Sequence, residues 1–277
     1  MVRLVLALMA SATLLPFAAQ AADILEPIPV VEPAPDFSGW YIRADVGYVF
    51  KSKTDGNWDF WNQFPGVEGI DDTYRYDELR LDSTASFGGG VGYRFSDMFR
   101  ADATLDYFRP DVSGKTACPY MIKIDAAHGL RHQDECYYDE GSKADVWTAM
   151  ANAYVDLPFF GPVTPYLGAG IGAAYVQYDD RSTQEVCPSC KPSYTPFKAT
   201  SEGTDDWRLA TALMAGASID LTHSLALDVG YKFTKIWEGD AFEYDAADKS
   251  FGAKGTQVRD NGFDVHTIRA GLRYSFF

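Results

Sequence analysis

The sequence predicts an all-β chain, an eight-stranded antiparallel up-and-down transmembrane β-barrel, on three observations. Apolar and polar residues alternate in about eight stretches of the length a tilted membrane strand needs, roughly 9 to 11 residues in the apolar zone. Short turns and long polar excursions join those stretches in strict alternation, as they do when one rim faces the periplasm and the other the outside. The last stretch, Asn261 to Phe277, sets Ile268, Ala270, Leu272, Tyr274 and Phe276 against Thr267, Arg269, Gly271, Arg273 and Ser275 and stops on aromatics, which suit a membrane boundary.

The chain opens with Met1, Val2, Arg3 and an apolar run from Leu4 to Phe17, then Ala19-Gln20-Ala21. One positive charge, a short apolar core and an A-x-A site predict a secretory signal peptide over residues 1–21, cut after Ala21. Residues 22–38 carry Pro27, Pro29, Pro33 and Pro35. Prolines at this density disfavour helix and ladder pairing, so an extended periplasmic tail is expected there. The barrel is expected over residues 39–277.

Strand one, about Trp40 to Phe50, turns Trp40, Ile42, Val46 and Tyr48 outward and Tyr41, Arg43, Asp45 and Gly47 inward. After a long excursion, strand two (about Ser83 to Phe95) sends Phe87, Val91 and Tyr93 out and Gly88, Gly90, Gly92 and Arg94 in. A tight turn at Ser96-Asp97-Met98 leads to strand three (about Phe99 to Phe108), with Arg100, Asp102, Thr104 and Asp106 inward. A second long excursion precedes strand four (about Asp145 to Leu157), whose Trp147, Ala149, Ala151 and Val155 face out and whose Asn152, Tyr154 and Asp156 face in. Pro158 to Pro165 turns the chain into strand five (about Tyr166 to Tyr178), where Gly168, Gly170 and Gly172 are inward packing positions; no helix follows to make them a nucleotide loop. A third excursion leads to strand six (about Asp206 to Leu221), with Arg208 and Asp220 inward. Strand seven (about Ser224 to Ile236) turns Asp228, Gly230 and Lys232 inward, and a fourth excursion returns the chain to strand eight.

Composition agrees with this architecture and excludes some functions. A mean hydropathy of −0.19 is compatible with a barrel, because half of each strand avoids lipid. The 15% aromatic content gathers at the strand ends in two girdles, with Trp40, Tyr93 and Tyr274 at the short-turn end and Tyr107, Trp147 and Trp207 at the other. A formal charge of −15 makes the chain a poor partner for nucleic acid, whose phosphates require clustered Lys and Arg. The expected surroundings are outer-membrane lipid and lipopolysaccharide, with Phe276 and Phe277 offered to the outer-membrane assembly machinery.

The inward faces hold the most informative constellation: Arg43, Arg94, Arg100, Arg208, Lys232, Arg269 and Arg273 against Asp45, Asp102, Asp106, Asp156, Asp220 and Asp228. Near-equal numbers of each sign point to a paired network, because an unpaired buried charge is strongly disfavoured. An eight-stranded barrel is only just wide enough to be filled by side chains, so a salt-bridged plug is expected ahead of a charged eyelet lining a pore. Export permits disulfides, and Cys118 with Cys136 and Cys187 with Cys190 are the expected pairs. A redox or zinc role for Cys187-x-x-Cys190 would want a βαβ context or a second such pair, and neither is present. His128 and His132, near Tyr137 and Tyr138, could ligate haem iron, although solvated loop residues are the simpler reading. His266 near the outer rim could serve a hydrolase site, but no partner is identifiable by spacing.

Four stretches carry a family resemblance: Phe37-Ser-Gly-Trp-Tyr-Ile42, Asn152-Ala-Tyr-Val-Asp156, Pro165-Tyr-Leu-Gly-Ala-Gly-Ile-Gly172 and Gly271-Leu-Arg-Tyr-Ser-Phe276. They resemble the small outer-membrane β-barrel surface proteins of alphaproteobacteria, related in architecture to the OmpA membrane domain. The resemblance implies a surface-exposed envelope protein active in membrane integrity or host contact, haemin binding in some relatives, and no shared catalytic site. The expected function is therefore non-enzymatic, with no cofactor: an integral outer-membrane barrel that meets surface or host ligands through its extracellular loops. A small diffusion pore or a haemin-binding surface protein is the alternative.

Overall fold

The computed structural model describes residues 38–124, 130, 134–157 and 163–276; the expected signal peptide, most of the expected periplasmic tail, His128, His132 and Phe277 lie outside the described residues. Along the chain, strands β1 (Gly39–Val49), β2 (Ser52–Thr54), β3 (Gly56–Asn62), β4 (Gly69–Arg75), β5 (Glu78–Leu81), β6 (Thr84–Arg94), β7 (Phe99–Phe108) and β8 (Asp111–Ala117) precede helix α1 (Tyr120–Ile124). Next come β9 (Tyr137–Asp156), β10 (Val163–Tyr178), β11 (Arg181–Val186), β12 (Lys198–Ser201), β13 (Asp205–Asp220), β14 (Leu225–Ile236) and β15 (Gly239–Glu243). Helix α2 (Ala246–Ser250), β16 (Thr256–Asp260) and β17 (Phe263–Phe276) complete it.

Eight strands close on themselves in the antiparallel order β1-β6-β7-β9-β10-β13-β14-β17, with β17 pairing back onto β1. Closure satisfies every ladder without leaving an edge, the condition for a sheet to cross lipid. Side chains alternate as the two-residue period requires: in β9, Trp147, Ala149, Ala151, Ala153 and Val155 are exposed while Thr148, Met150, Asn152, Tyr154 and Asp156 are buried. The lipid-facing surface includes Ile42, Phe87, Leu105, Ile171, Leu213 and Leu272. Aromatic rings bound it on both sides, with Trp40–Tyr93 centroids at 5.3 Å at the short-turn rim and Tyr107–Trp147 at 4.6 Å at the opposite rim. The inward glycines leave room for large side chains laid across the lumen. A Cβ on Gly92 would stand 2.2 Å from the Tyr41 ring, and one on Gly168 would stand 2.5 Å from the Tyr154 ring.

Beyond that second rim the excursions, expected as polar loops, are built of strand. β9 begins at Tyr137, not near Asp145, so ten residues, about 34 Å of strand, stand above Trp147. This upper part of β9 pairs with β8 on one side and β11 on the other, giving a sheet ordered β12-β11-β9-β8-β5-β2. A second sheet, β15-β16-β3-β4, combines the first and fourth excursions, and a bridge between Gly203 and Phe242 ties the two sheets together. Polar residues such as Asp139, Glu140, Ser142 and Lys143 on both faces conceal the period in the sequence, and pairing with distant strands supplies it instead. The cap's share of the core includes Trp58, Tyr76, Leu79, Val112, Tyr138 and Phe242, and it runs on into the barrel through Val146, Met150 and Met214. Two disulfides pin its excursions, Cys118–Cys136 and Cys187–Cys190, each with Cα atoms 5.4 Å apart.

Candidate functional site

The barrel interior is a layered charge cluster. Arg43 and Arg273 stand directly opposite each other across β1 and β17, an arrangement that would repel if both looked the same way. Each is turned to its own carboxylate instead. Arg43 donates Nε and Nη2 to Asp45 at 2.8 and 2.7 Å and Nη1 to Asp102 at 3.1 Å. Arg273 donates Nε to Asp228 at 3.2 Å and Nη2 to the Ser218 hydroxyl at 3.1 Å. Arg100 donates Nε to Asp156 at 3.0 Å and lies 3.6 Å from Asp228, its guanidinium over the Tyr154 and Tyr166 rings at 4.5 and 4.8 Å. Asp102 is a junction that also accepts from Tyr41, Asn152 and Tyr154. Nearer the cap, Lys232 donates to Asp106 at 2.7 Å.

Four residues assigned inward by parity do not share that network. Arg208 is buried but sits at the cap end, where it donates Nη1 to Asp260 at 2.8 Å and Nη2 to the Asp240 carbonyl at 2.7 Å, fastening the fourth excursion to the barrel wall. Asp220 is exposed at the short-turn end of β13, because the strand runs past the lumen into solvent. Arg94, on the corresponding end of β6, is half-buried and, among the described residues, forms no ion pair. Arg269 is buried beside a cavity of about 30 Å³; its Nη2 lies 3.5 Å from the Met214 sulfur and it stands close to Tyr154 and Asp45, while among the described residues its Nε and Nη1 have no hydrogen-bond partner. Tyr41, Asn152 and Tyr154 share the same inward parity and are buried. Their role as neutral hydrogen-bond partners of the charges appears only once strands β1, β7 and β9 are assembled.

The cap holds a second constellation, which the sequence reading did not bring together. Gln63 donates Nε2 to Asp248 Oδ1 at 2.8 Å, and Gln257 donates Nε2 to Asp248 Oδ2 at 3.4 Å. The Gln257 carbonyl accepts from Arg181 Nη2 at 2.6 Å, Arg181 Nη1 reaches Glu140 at 3.2 Å, and Glu140 accepts from the Tyr76 hydroxyl. First, fourth, third and second excursions are thereby joined, and the chain of contacts ends back on the first. All of these but Tyr76 line a cavity of about 480 Å³ between the two sheets, walled by Trp58, Phe60, Trp61, Phe64, Phe197 and Phe251. Burial pushes the Asp248 carboxyl up to about 6, with Asp245 adding to the effect. Burial, with Glu140 beside it, also holds the Tyr76 phenol well above its ordinary value. Glu185 lies against the cysteine sulfurs of both disulfides, but oxidised sulfur offers no thiolate to a metal. Of the residues considered for haem, Tyr138 is buried against Trp58 and Phe197, and Tyr137 lies under the Lys115 ammonium at 3.5 Å.

Comparison with known proteins places this architecture. The sequence profile of the outer membrane protein beta-barrel domain matches residues 5–276. The chain belongs to that family. An uncharacterized protein of Brucella melitensis is 54% identical over 94% of this chain and 93% of its own length. A candidate adhesin of Rickettsia bellii is 26% identical over 85% of this chain and 87% of its own. Among solved structures, Neisserial surface protein A shares 17% identity at a TM-score of 0.41, over 86% of this chain and 99% of that one. OprG of Pseudomonas aeruginosa shares 14% at 0.46, over 86% and 96%. The protein is an outer-membrane β-barrel with lipid around its wall.

Proposed function

We propose that this is a non-enzymatic envelope protein whose barrel is a sealed anchor and whose cap, facing outward, supports envelope integrity and meets surface or host partners. The observation that carries this reading is the filled lumen. Arg43, Arg100, Asp102, Tyr154 and Arg273 are each no more than 6% exposed, and an eight-stranded barrel has little width beyond what such side chains occupy. A diffusion pore needs a continuous water path, whereas the cavity beside Arg269 has room for a water or two. Folding of all four excursions into one linked cap supports a role in contact, as does the name carried by the Rickettsia relative. The His266 ring faces Tyr231 and Phe233 and, among the described residues, has only the Tyr231 hydroxyl as a hydrogen-bond partner, which supports a reading without catalysis.

The test is single-channel conductance of the refolded protein in a planar bilayer, with Arg43→Ala and Asp228→Ala alongside. The expected result is a silent parent protein and small openings in the variants. Steady conductance in the parent, with ion selectivity changed by those substitutions, would make the protein a pore.

A further inference from the structure

The cap cavity has a chemistry of its own, separate from the surface-contact reading. Its volume, about 480 Å³, falls in the range of small-molecule sites. Its walls are aromatic, and Phe64, Phe197 and Phe251 remain 61%, 41% and 41% exposed, so the apolar surface is open to a visitor and not consumed by the cap core. Among the described residues that line it, the acidic groups besides Glu185 are Glu140, Asp245 and Asp248, and the cation is Arg181. Arg181 is committed to Glu140, so among the described residues no cation forms an ion pair with Asp245 or Asp248.

Asp248 is the distinctive member. It is 7% exposed; among the described residues its two oxygens accept from the neutral amides of Gln63 and Gln257, and no Lys or Arg forms an ion pair with it, Arg181 acting on it only from a distance. Its neighbour Lys249 is taken by Glu202 and Glu243 on the outer surface, at 2.9 and 2.8 Å. A buried carboxylate without a counter-charge is costly unless a cation approaches it. Aromatic faces around such a carboxylate attract the same cation through their quadrupoles.

We propose that this cavity binds a small organic cation, a primary ammonium on an apolar or aromatic body, with the ammonium at Asp248 and the body against Trp58, Trp61 and Phe251. An anion of the same shape would meet the Asp248 and Asp245 carboxylates, and a neutral analogue would leave Asp248 without an ion-pair partner. The proposal does not depend on adhesion or on a sealed lumen, and it can fail while both of those hold.

The probe is 2-phenylethylammonium, titrated into the refolded full chain in detergent micelles at pH 7.5. Calorimetry and tryptophan fluorescence are the readouts, with 2-phenylethanol and phenylacetate as the neutral and anionic controls. The expected result is saturable binding of the ammonium at least tenfold tighter than either control. Asp248→Asn should reduce that preference tenfold while leaving 2-phenylethanol binding in place. Lowering the pH to 5 should weaken ammonium binding to the unsubstituted protein, an outcome that needs no variant to fold. The titratable and charged groups acting on Asp248 in that experiment are Asp245, the N-cap of its own helix, Arg181 from β11, Tyr138 from β9 and Tyr244 beside β15, with Glu140 and Glu185 elsewhere on the cavity wall. Equal binding of the three probes, ammonium binding unchanged in Asp248→Asn or at pH 5, or no binding at millimolar ammonium would overturn the proposal.

Discussion

The pair formed by Lys232 and Asp106 offers a direct measure of whether the lumen is dry. Their 2.7 Å contact is isolated from the larger Arg and Asp cluster, with side chains 6% and 16% exposed. Asp106 is held against the wall at Gly88, where an added Cβ would come within 2.1 Å of its Oδ1. At an effective dielectric of about 20, two unit charges at this separation attract by roughly 6 kcal/mol, partly offset by the cost of removing both from water. Lys232→Met would leave Asp106 charged without a partner, and Asp106→Asn would do the same to Lys232. Because Asp106 keeps some contact with solvent, each single substitution should cost about 3 kcal/mol, the lower end for breaking a buried pair. The double variant, which buries no charge at this place, should lose no more than either single one. Urea-driven unfolding from lipid vesicles, followed by tryptophan fluorescence and by heat-modifiable gel migration, reads all four proteins. Losses of about 1 kcal/mol or less in the single variants would match a solvated pair. That result, or strictly additive losses in the double variant, would refute the sealed interior.

Asp260→Ala should release the cap without opening the barrel, since Asp260 accepts from Arg208 at 2.8 Å and from the Tyr178 hydroxyl at 2.9 Å. Limited proteolysis should then cut the fourth excursion while the gel shift of the folded barrel persists; an uncut cap would contradict this role. Cys136→Ser opens a link between residues 18 apart, worth about 3 kcal/mol by loop-closure entropy, so cap protection in hydrogen exchange should fall while barrel amides stay protected. Asp248 gives the cap a pH dependence of definite sign. Its carboxyl titrates near 6 when folded, above the range of an unfolded aspartate, so its contribution is fully present at pH 3.5 and is lost as the pH rises through 6. Asp248→Asn should flatten cap stability between pH 4 and 7 as measured by hydrogen exchange, and an unchanged slope would locate the titration elsewhere.

The parts of this protein set by local rules were readable from the chain. A strand turns successive side chains to opposite faces, so parity in Trp40 to Phe50 or Tyr166 to Tyr178 already separates lipid from lumen, and the alternation of short and long connections sets the up-and-down order. Depth and partnership are not local. Arg43 and Arg208 share the same inward parity, yet one lies in the central cluster and the other at the cap, because the position of a residue along the barrel depends on how neighbouring strands are staggered. Arg94 and Asp220 fall at the short-turn ends for the same reason. The cap was hidden more thoroughly. Its sheets pair segments far apart in sequence, and its polar chain joins Gln63 to Asp248 across 185 residues and Arg181 to Gln257 across 76. Alternation along the chain thus determined which face each barrel residue took, and only the closed structure, by bringing distant strands into register, decided which charges met and where a cavity formed.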